Sequence, residues 1–216
     1  MEGGMGREKR VLFNNLRKEI HDEKVLRAME KVPRELFVPS EGRHMAYKDV
    51  ALPIGNGQTI SQPYIIALMT SMLELRGDEK VLEVGTGSGY QAAILSHLLA
   101  RGTVLTLERI SSLARTAATT LDSLGCKNVE VRLADDRLGA PEDSPFNTII
   151  VTAGSPKLPQ SLMAQMAAGG RMVIPVGTRM EQELIRVVKT SEGHTVNVLG
   201  PCRFVPLIGR DAWPEK

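Results

Sequence analysis

The stretch Lys80-Val-Leu-Glu-Val-Gly85-Thr-Gly87-Ser-Gly89-Tyr-Gln91 decides the fold. A short apolar run reads as a buried strand, three glycines at alternate positions read as a tight turn, and the residues after Gly89 begin a helix. Glycines are placed so where the backbone must turn sharply or let a ligand touch it directly. The spacing is GxGxG, one residue shorter than the dinucleotide fingerprint, and the lysine of a phosphate-binding P-loop is missing. Taken alone, the turn is also compatible with a purely structural role.

Working outward, the chain alternates strand and helix. Thr103–Leu107, Val129–Leu133, Thr148–Thr152 and Arg171–Val176 read as further strands. Tyr90–Leu99, Ile110–Leu124 and Leu158–Ala168 read as helices, the last two stopped by Gly125 and by Gly169-Gly170. Glu183–Thr190 and Thr195–Leu199 follow with no helix between them, which predicts an antiparallel hairpin turning at Glu192-Gly193. The fold class is α/β: a Rossmann-like, doubly wound, mostly parallel sheet with C-terminal antiparallel strands. Ahead of it, apolar residues between Arg7 and Lys31 recur at helical spacing. They predict two helices broken near His21-Asp22, with Asp22 as N-cap, and so an N-terminal helical extension. Arg34 to Pro63 shows no sustained period, and Pro63 opens another helix that is expected to end near Gly77. A long irregular stretch in a compact domain is more often functional than accidental.

Two acidic features join the glycine turn. Glu108 ends the second strand, where a carboxylate can accept hydrogen bonds from both hydroxyls of a ribose. Asp135-Asp136 follow the third, where an adenine edge would lie. Glycine turn, Glu108 and Asp135-Asp136 all fall at C-terminal strand ends, the place where open α/β sheets bind ligands. Together they specify a nucleoside.

Composition narrows the partners. With 27 basic and 25 acidic residues in 216, the net charge of +2 is scattered, and no basic tract marks a nucleic-acid binder. The two cysteines and four histidines form no metal-ligand spacing, and none is expected to hold a metal. No run approaches the roughly 20 apolar residues of a membrane span. The expectation is a cytoplasmic, monomeric protein. His97 reads as packed in its helix, and Trp213 either covers a pocket or anchors the surface.

These residues resemble class I methyltransferases, whose first motif is an acid followed by GxGxG, with Glu83 as the acid here. The run Leu52-Pro-Ile-Gly-Asn-Gly-Gln-Thr-Ile-Ser61-Gln-Pro-Tyr64 resembles the signature loop of protein-L-isoaspartate O-methyltransferases. So do Arg34-Glu-Leu-Phe-Val-Pro39, Ile149–Ala153, Gly169–Gly177 and Phe204-Val-Pro-Leu207, in the family's order. The resemblance implies S-adenosyl-L-methionine as methyl donor, S-adenosyl-L-homocysteine as product, and the α-carboxylate of L-isoaspartyl residues in damaged proteins and peptides as acceptor. It implies Ser61 as the active-site residue, although Ser61 is also placed to cap the helix at Pro63. It implies Thr59, Ile60, Gln62, Val205, Pro206 and Leu207 at the substrate. Glu83, Gly85, Thr86, Gly87, Gly89, Glu108, Asp135 and Asp136 fall to the cofactor.

The domain division expected is a disordered tail over 1–6 and a single methyltransferase domain over 7–216. Within it, 7–75 carry helices and the substrate loop, 76–180 the cofactor-binding core, and 181–216 the last strands and a closing segment. The chain departs from the family at Ala134-Asp135-Asp136, where Gly-Asp-Gly is usual, at Phe146-Asn147, and at Ala153-Gly154-Ser155-Pro156. Two other readings stand beside this one. One is a methyltransferase of the same fold acting on RNA or a small molecule, against which Thr152-Ala-Gly-Ser replaces the Asn/Asp-Pro-Pro-Tyr/Phe motif of amino-directed enzymes. The other is a non-catalytic nucleoside-binding regulator.

Overall fold

A computed structural model describes residues 2–215. Helix α1 spans Glu2–Glu19 and α2 spans Glu23–Lys31, with Asp22 accepting from the backbone N–H groups of Lys24 and Val25 as N-cap. The tail expected over 1–6 is helical from Glu2, so Gly4 and Gly6 lie inside α1; Met1 lies outside the described residues. Two 3₁₀ turns, Arg34–Phe37 and Ser40–Met45, lead to a hairpin of β1 (Leu52–Gly55) and β2 (Gln58–Ile60). The aperiodic stretch therefore has compact local structure, too short in period to register as repeats.

Helix α3 (Pro63–Ser71) begins on its proline, and ends earlier than the expected Gly77. The alternation then runs β3 (Lys80–Val84), α4 (Tyr90–Leu98), β4 (Thr103–Glu108), α5 (Ser111–Ser123), β5 (Val129–Leu133) and β6 (Phe146–Val151). It continues with α6 (Gln160–Ala164), β7 (Met166–Gly177), β8 (Gln182–Thr190) and β9 (Gly193–Cys202). Seven strands form one sheet in the order β5-β4-β3-β6-β7-β8-β9. The pairs among β5, β4, β3, β6 and β7 are parallel, while β7–β8 and β8–β9 are antiparallel.

The helix expected over Leu158–Ala168 is only five residues long. Its alanines and glycines instead open β7, where Met166 pairs with Phe146 and Arg171 with Thr148 across a bulge. Pairing with a buried strand outweighs the helical preference of Ala167 and Ala168.

Side-chain alternation divides the core between the sheet's two faces. Val81, Val104 and Val173 pack with Met69, Leu73, Leu95 and Leu99 from the α3–α4 side. Leu82, Val84, Leu105 and Ile149 pack with Leu162 of α6. Helices α1 and α2 close over the outer side of α4 and α5 through Phe13, Leu16, Leu26 and Met29. After β5 the chain returns to the far side of β3, so the order reverses between β3 and β6. The crevice of a doubly wound sheet opens beside that reversal.

Candidate active site

A cavity of about 1040 Å³ opens at the C-terminal ends of β3, β4 and β6. Its walls come from the hairpin strand and the residue after it (Gln58 to Ser61), the glycine turn (Gly85 to Ser88), the end of β4 (Glu108 to Ile110), the loop after β5 (Ala134 to Gly139) and the C-terminal segment (Phe204 to Arg210).

The turn is built for close approach. Gly85, Gly87 and Gly89 all have positive φ, at 103°, 54° and 90°. The backbone N–H groups of Gly85 and Thr86 donate to the Leu107 carbonyl, and Thr152 Oγ1 donates to the Gly85 carbonyl at 2.5 Å. Thr86 and Thr106 share a hydroxyl hydrogen bond of 2.6 Å beneath the turn. Glu108 Oε2 accepts from Gly87 N at 2.8 Å and Oε1 from Ile110 N at 2.9 Å, which locks the carboxylate at the cavity rim. A carboxylate has about four lone-pair sites, so two remain for ligand hydroxyls.

Glu83 is fully buried, lines the cavity, and neither carboxylate oxygen finds a partner among the described residues. Burial pushes its carboxyl up to about 8, and the Glu108 charge adds to the rise. A carboxyl held largely protonated by burial ionises readily only where a cation is brought against it, so this group suits a cationic ligand.

Ser61 lines the cavity from the loop between β2 and α3. Helix α3 takes its capping acceptor from Asp49, whose Oδ1 accepts from Tyr64 N at 2.8 Å. Capping by Ser61 is thereby replaced, and its hydroxyl is left to the cavity.

Thr59, Ile60, Val205, Pro206 and Leu207 also line the cavity. Gln62 does not: its side chain turns away and donates to Asp49 Oδ2. Gly89 does not either. Its role is in packing, since a Cβ there would meet Ala117 Cβ at 3.2 Å and Leu121 Cδ1 at 3.3 Å on α5. Asp135 and Asp136 reach the cavity wall but both carboxylates are engaged. Asp135 accepts from the Arg137 backbone and guanidinium, whose hydrogen bonds hold its pKa below the usual range; Asp136 pairs with Arg210 at 2.7 Å. Asp135 thus serves its own loop, and Asp136, one of the departures from the usual pattern, ties that loop to the C-terminal segment.

That segment is stitched down by backbone. Gly154 N donates to Val205 O and Leu207 N to Gly154 O. Beyond it, Arg109 pairs with Glu215, and the Arg179 guanidinium stacks 4.8 Å over Trp213. Trp213 anchors the segment while its neighbours Ala212 and Pro214 line the cavity. His97 is exposed on α4, contrary to the packed reading.

Sequence reasoning gave no role to Thr152, Arg179, Arg109 or the buried Arg34, which donates to the Ser61 carbonyl at 2.8 Å. The signal for Arg34 was its place at the head of Arg34-Glu-Leu-Phe-Val-Pro39, one of the stretches that carry the family resemblance. Among the described residues no group of three or more His, Cys, Asp and Glu could hold a metal, and no helix is long and apolar enough to cross a membrane.

A family model described as protein-L-isoaspartate(D-aspartate) O-methyltransferase matches residues 7–212. Protein-L-isoaspartate O-methyltransferase 1 of Syntrophobacter fumaroxidans is 55% identical over 194 residues, covering 90% of each chain. The protein-L-isoaspartate O-methyltransferase of Syntrophotalea carbinolica is 50% identical over 100% of this chain and 99% of its own. A solved protein-L-isoaspartate O-methyltransferase superposes with a TM-score of 0.85 at 28% identity, over 94% of this chain and 67% of that one. A Plasmodium falciparum β-aspartate methyltransferase, solved with S-adenosyl-L-homocysteine, shares the fold at a TM-score of 0.78 and 24% identity, over 91% of this chain and 96% of that one.

Proposed function

Because the chain belongs to the protein-L-isoaspartate(D-aspartate) O-methyltransferase family, we propose that Ser61 and the glycine turn form the two halves of its methyl-transfer site. The enzyme is an S-adenosyl-L-methionine-dependent carboxyl methyltransferase of protein repair, acting on L-isoaspartyl residues. The donor supplies a methyl group on a sulfonium, with S-adenosyl-L-homocysteine as product.

One observation supports the donor assignment above the others: the partnerless Glu83 carboxylate at the cavity wall. It suits the ammonium of an amino acid, while Glu108 at the rim suits ribose hydroxyls. Gly85 and Gly87 bring bare backbone to the ligand between them. Asp135 and Asp136 contribute through Arg137 and Arg210, and Thr86 by fixing the turn.

The acceptor carboxylate is ionised at neutral pH, so no general base is required. Among the described residues that line the cavity there is no histidine or cysteine, in keeping with that chemistry. The chain's task is to exclude water and fix orientation. Ser61 donates one hydrogen bond to the acceptor carboxylate. Thr59, Ile60, Val205, Pro206 and Leu207 shape its surroundings, Leu207 as a buried apolar wall. Gln62 acts at one remove, through Asp49.

A reducing compartment such as the cytoplasm suits the free thiols of Cys126 and Cys202, and the enzyme is proposed as a monomer. The deciding experiment is transfer of radiolabelled methyl to an isoaspartyl peptide and to its aspartyl twin. Base-labile label on the isoaspartyl peptide alone is expected; label on both, or on RNA instead, overturns the substrate assignment.

A further inference from the structure

Arg34 has no part in the site as described so far, and its surroundings are unusual for an arginine. The side chain is fully buried. Nε donates to the Ala46 carbonyl at 2.9 Å and Nη2 to the Ser61 carbonyl at 2.8 Å, while Nη1 finds no partner among the described residues. The guanidinium carbon lies 4.9 Å over the Tyr90 ring. Burial pushes the Tyr90 phenol up to about 12, so the ring beneath the cation is neutral.

A buried guanidinium is ordinarily matched by a carboxylate in contact, because the cost of desolvating the charge is otherwise large. Here the nearby acids make no contact with the guanidinium, although the Asp49 charge lies close enough to favour the cation. Glu35 accepts the Tyr47 hydroxyl at 2.5 Å. Asp49 divides its oxygens between Tyr64 N and Gln62 Nε2. Burial lowers the Arg34 pKa, yet arginine starts so high that it stays charged. A positive charge is therefore stored without a contact partner, against two groups, Ser61 and Tyr90, that both line the cavity.

We infer that Arg34 is a positioning residue for the acceptor: its fork fixes the Ser61 backbone, and its charge, matched by no carboxylate in contact, draws the acceptor carboxylate to that wall of the cavity. The inference rests on the carboxylate-methylating function above. Arg34 acts through Ser61 and Tyr90 and touches no substrate itself. Low polarisability behind the wall leaves its field poorly screened.

The test is equilibrium binding of two peptides to the protein loaded with S-adenosyl-L-homocysteine: an isoaspartyl peptide, and the same peptide with the α-carboxylate replaced by a carboxamide. The ratio of the two affinities is the readout. Wild type is expected to favour the acid. In Arg34→Gln that preference falls about tenfold, the effect of removing one cation from behind the wall at an effective dielectric of about 20. Affinity for S-adenosyl-L-homocysteine stays unchanged. In Arg34→Lys the preference is retained, because the charge is kept, but kcat falls because one ammonium cannot hold both carbonyls. A merely structural role weakens acid and amide equally and leaves the ratio alone; that result overturns the inference while leaving the function intact. A wild type with no preference for the acid overturns the function instead. Should Arg34→Gln fail to fold, the lysine variant decides: unchanged kcat, or loss of acid preference with charge kept, overturns the proposal.

Discussion

Ser61 and Glu83 are the two residues at which the chemistry is most exposed to a single substitution. With Asp49 capping α3, the Ser61 hydroxyl has no structural duty to lose. Ser61→Ala is expected to lower kcat about 10- to 100-fold, as for one hydrogen bond to a charged group worth about 1.5–3 kcal/mol, with unchanged melting temperature. Steady-state kinetics with an isoaspartyl peptide decide it, and unaltered turnover removes Ser61 from the reaction. Glu83 makes a different forecast. Its carboxyl is raised to about 8 in the folded chain and is near the ordinary carboxylate value when unfolded. The folded state binds the proton more tightly, so this group's contribution is fully present at acid pH. It is lost as pH climbs toward 8, at up to about 1.4 kcal/mol per pH unit. Glu83→Gln removes the titration. Thermal melts of the ligand-free protein at pH 5 and pH 8.5 should show the variant gaining on wild type as pH rises; a constant difference means Glu83 is already ionised. The sequence marked both residues, Ser61 by its loop and Glu83 by its place before the glycines. It could not show that Gln62 faces away or that Asp135 and Asp136 are taken by arginines. Those facts depend on which side chains pair in three dimensions, near in sequence for Asp135 and Arg137, distant for Asp136 and Arg210.

At the scale of elements, the seam between α4 and α5 depends on one missing side chain. Gly89 has a φ of 90° and packs against Ala117 and Leu121. Gly89→Ala is expected to cost about 1–3 kcal/mol of stability through backbone strain and overpacking. Cofactor affinity per folded molecule should remain, because Gly89 lies off the cavity wall. Chemical denaturation checks the first and calorimetric titration the second; an unchanged midpoint contradicts the packing account. Short strands with a compact apolar run were legible: the buried β3 and the edge strand β5 both match the bounds their sequence suggests. Where local preference and long-range pairing disagree, pairing prevails. The alanines after Met166 favour helix on their own, yet β6 draws them into β7. The glycine-rich start of α1 is the reverse case, a helix that composition does not announce.

Across the whole molecule, the cavity is closed by a segment held in two ways. Backbone bonds at Gly154, Val205 and Leu207 fix its root, and the exposed pairs Arg109–Glu215 and Arg210–Asp136 tie its outer part to the cofactor loops. Exposed pairs contribute at most about 1 kcal/mol each. The double variant Arg109→Ala/Arg210→Ala should therefore speed release of S-adenosyl-L-homocysteine about thirtyfold or less at low salt, and less again near ~1 M salt, where wild-type pairs are screened as well. Stopped-flow release that is equal at low salt shows the backbone alone retains the segment. The cavity draws its walls from residue 58 to residue 215, so its ligands tie together elements far apart along the chain. A bound donor stabilises the native form as a unit, by about 2.7 kcal/mol at a hundredfold excess over its dissociation constant. Proteases that cut only an opened chain then find fewer openings as donor concentration rises. The lifetime of this repair catalyst is coupled by its architecture to the supply of activated methyl groups.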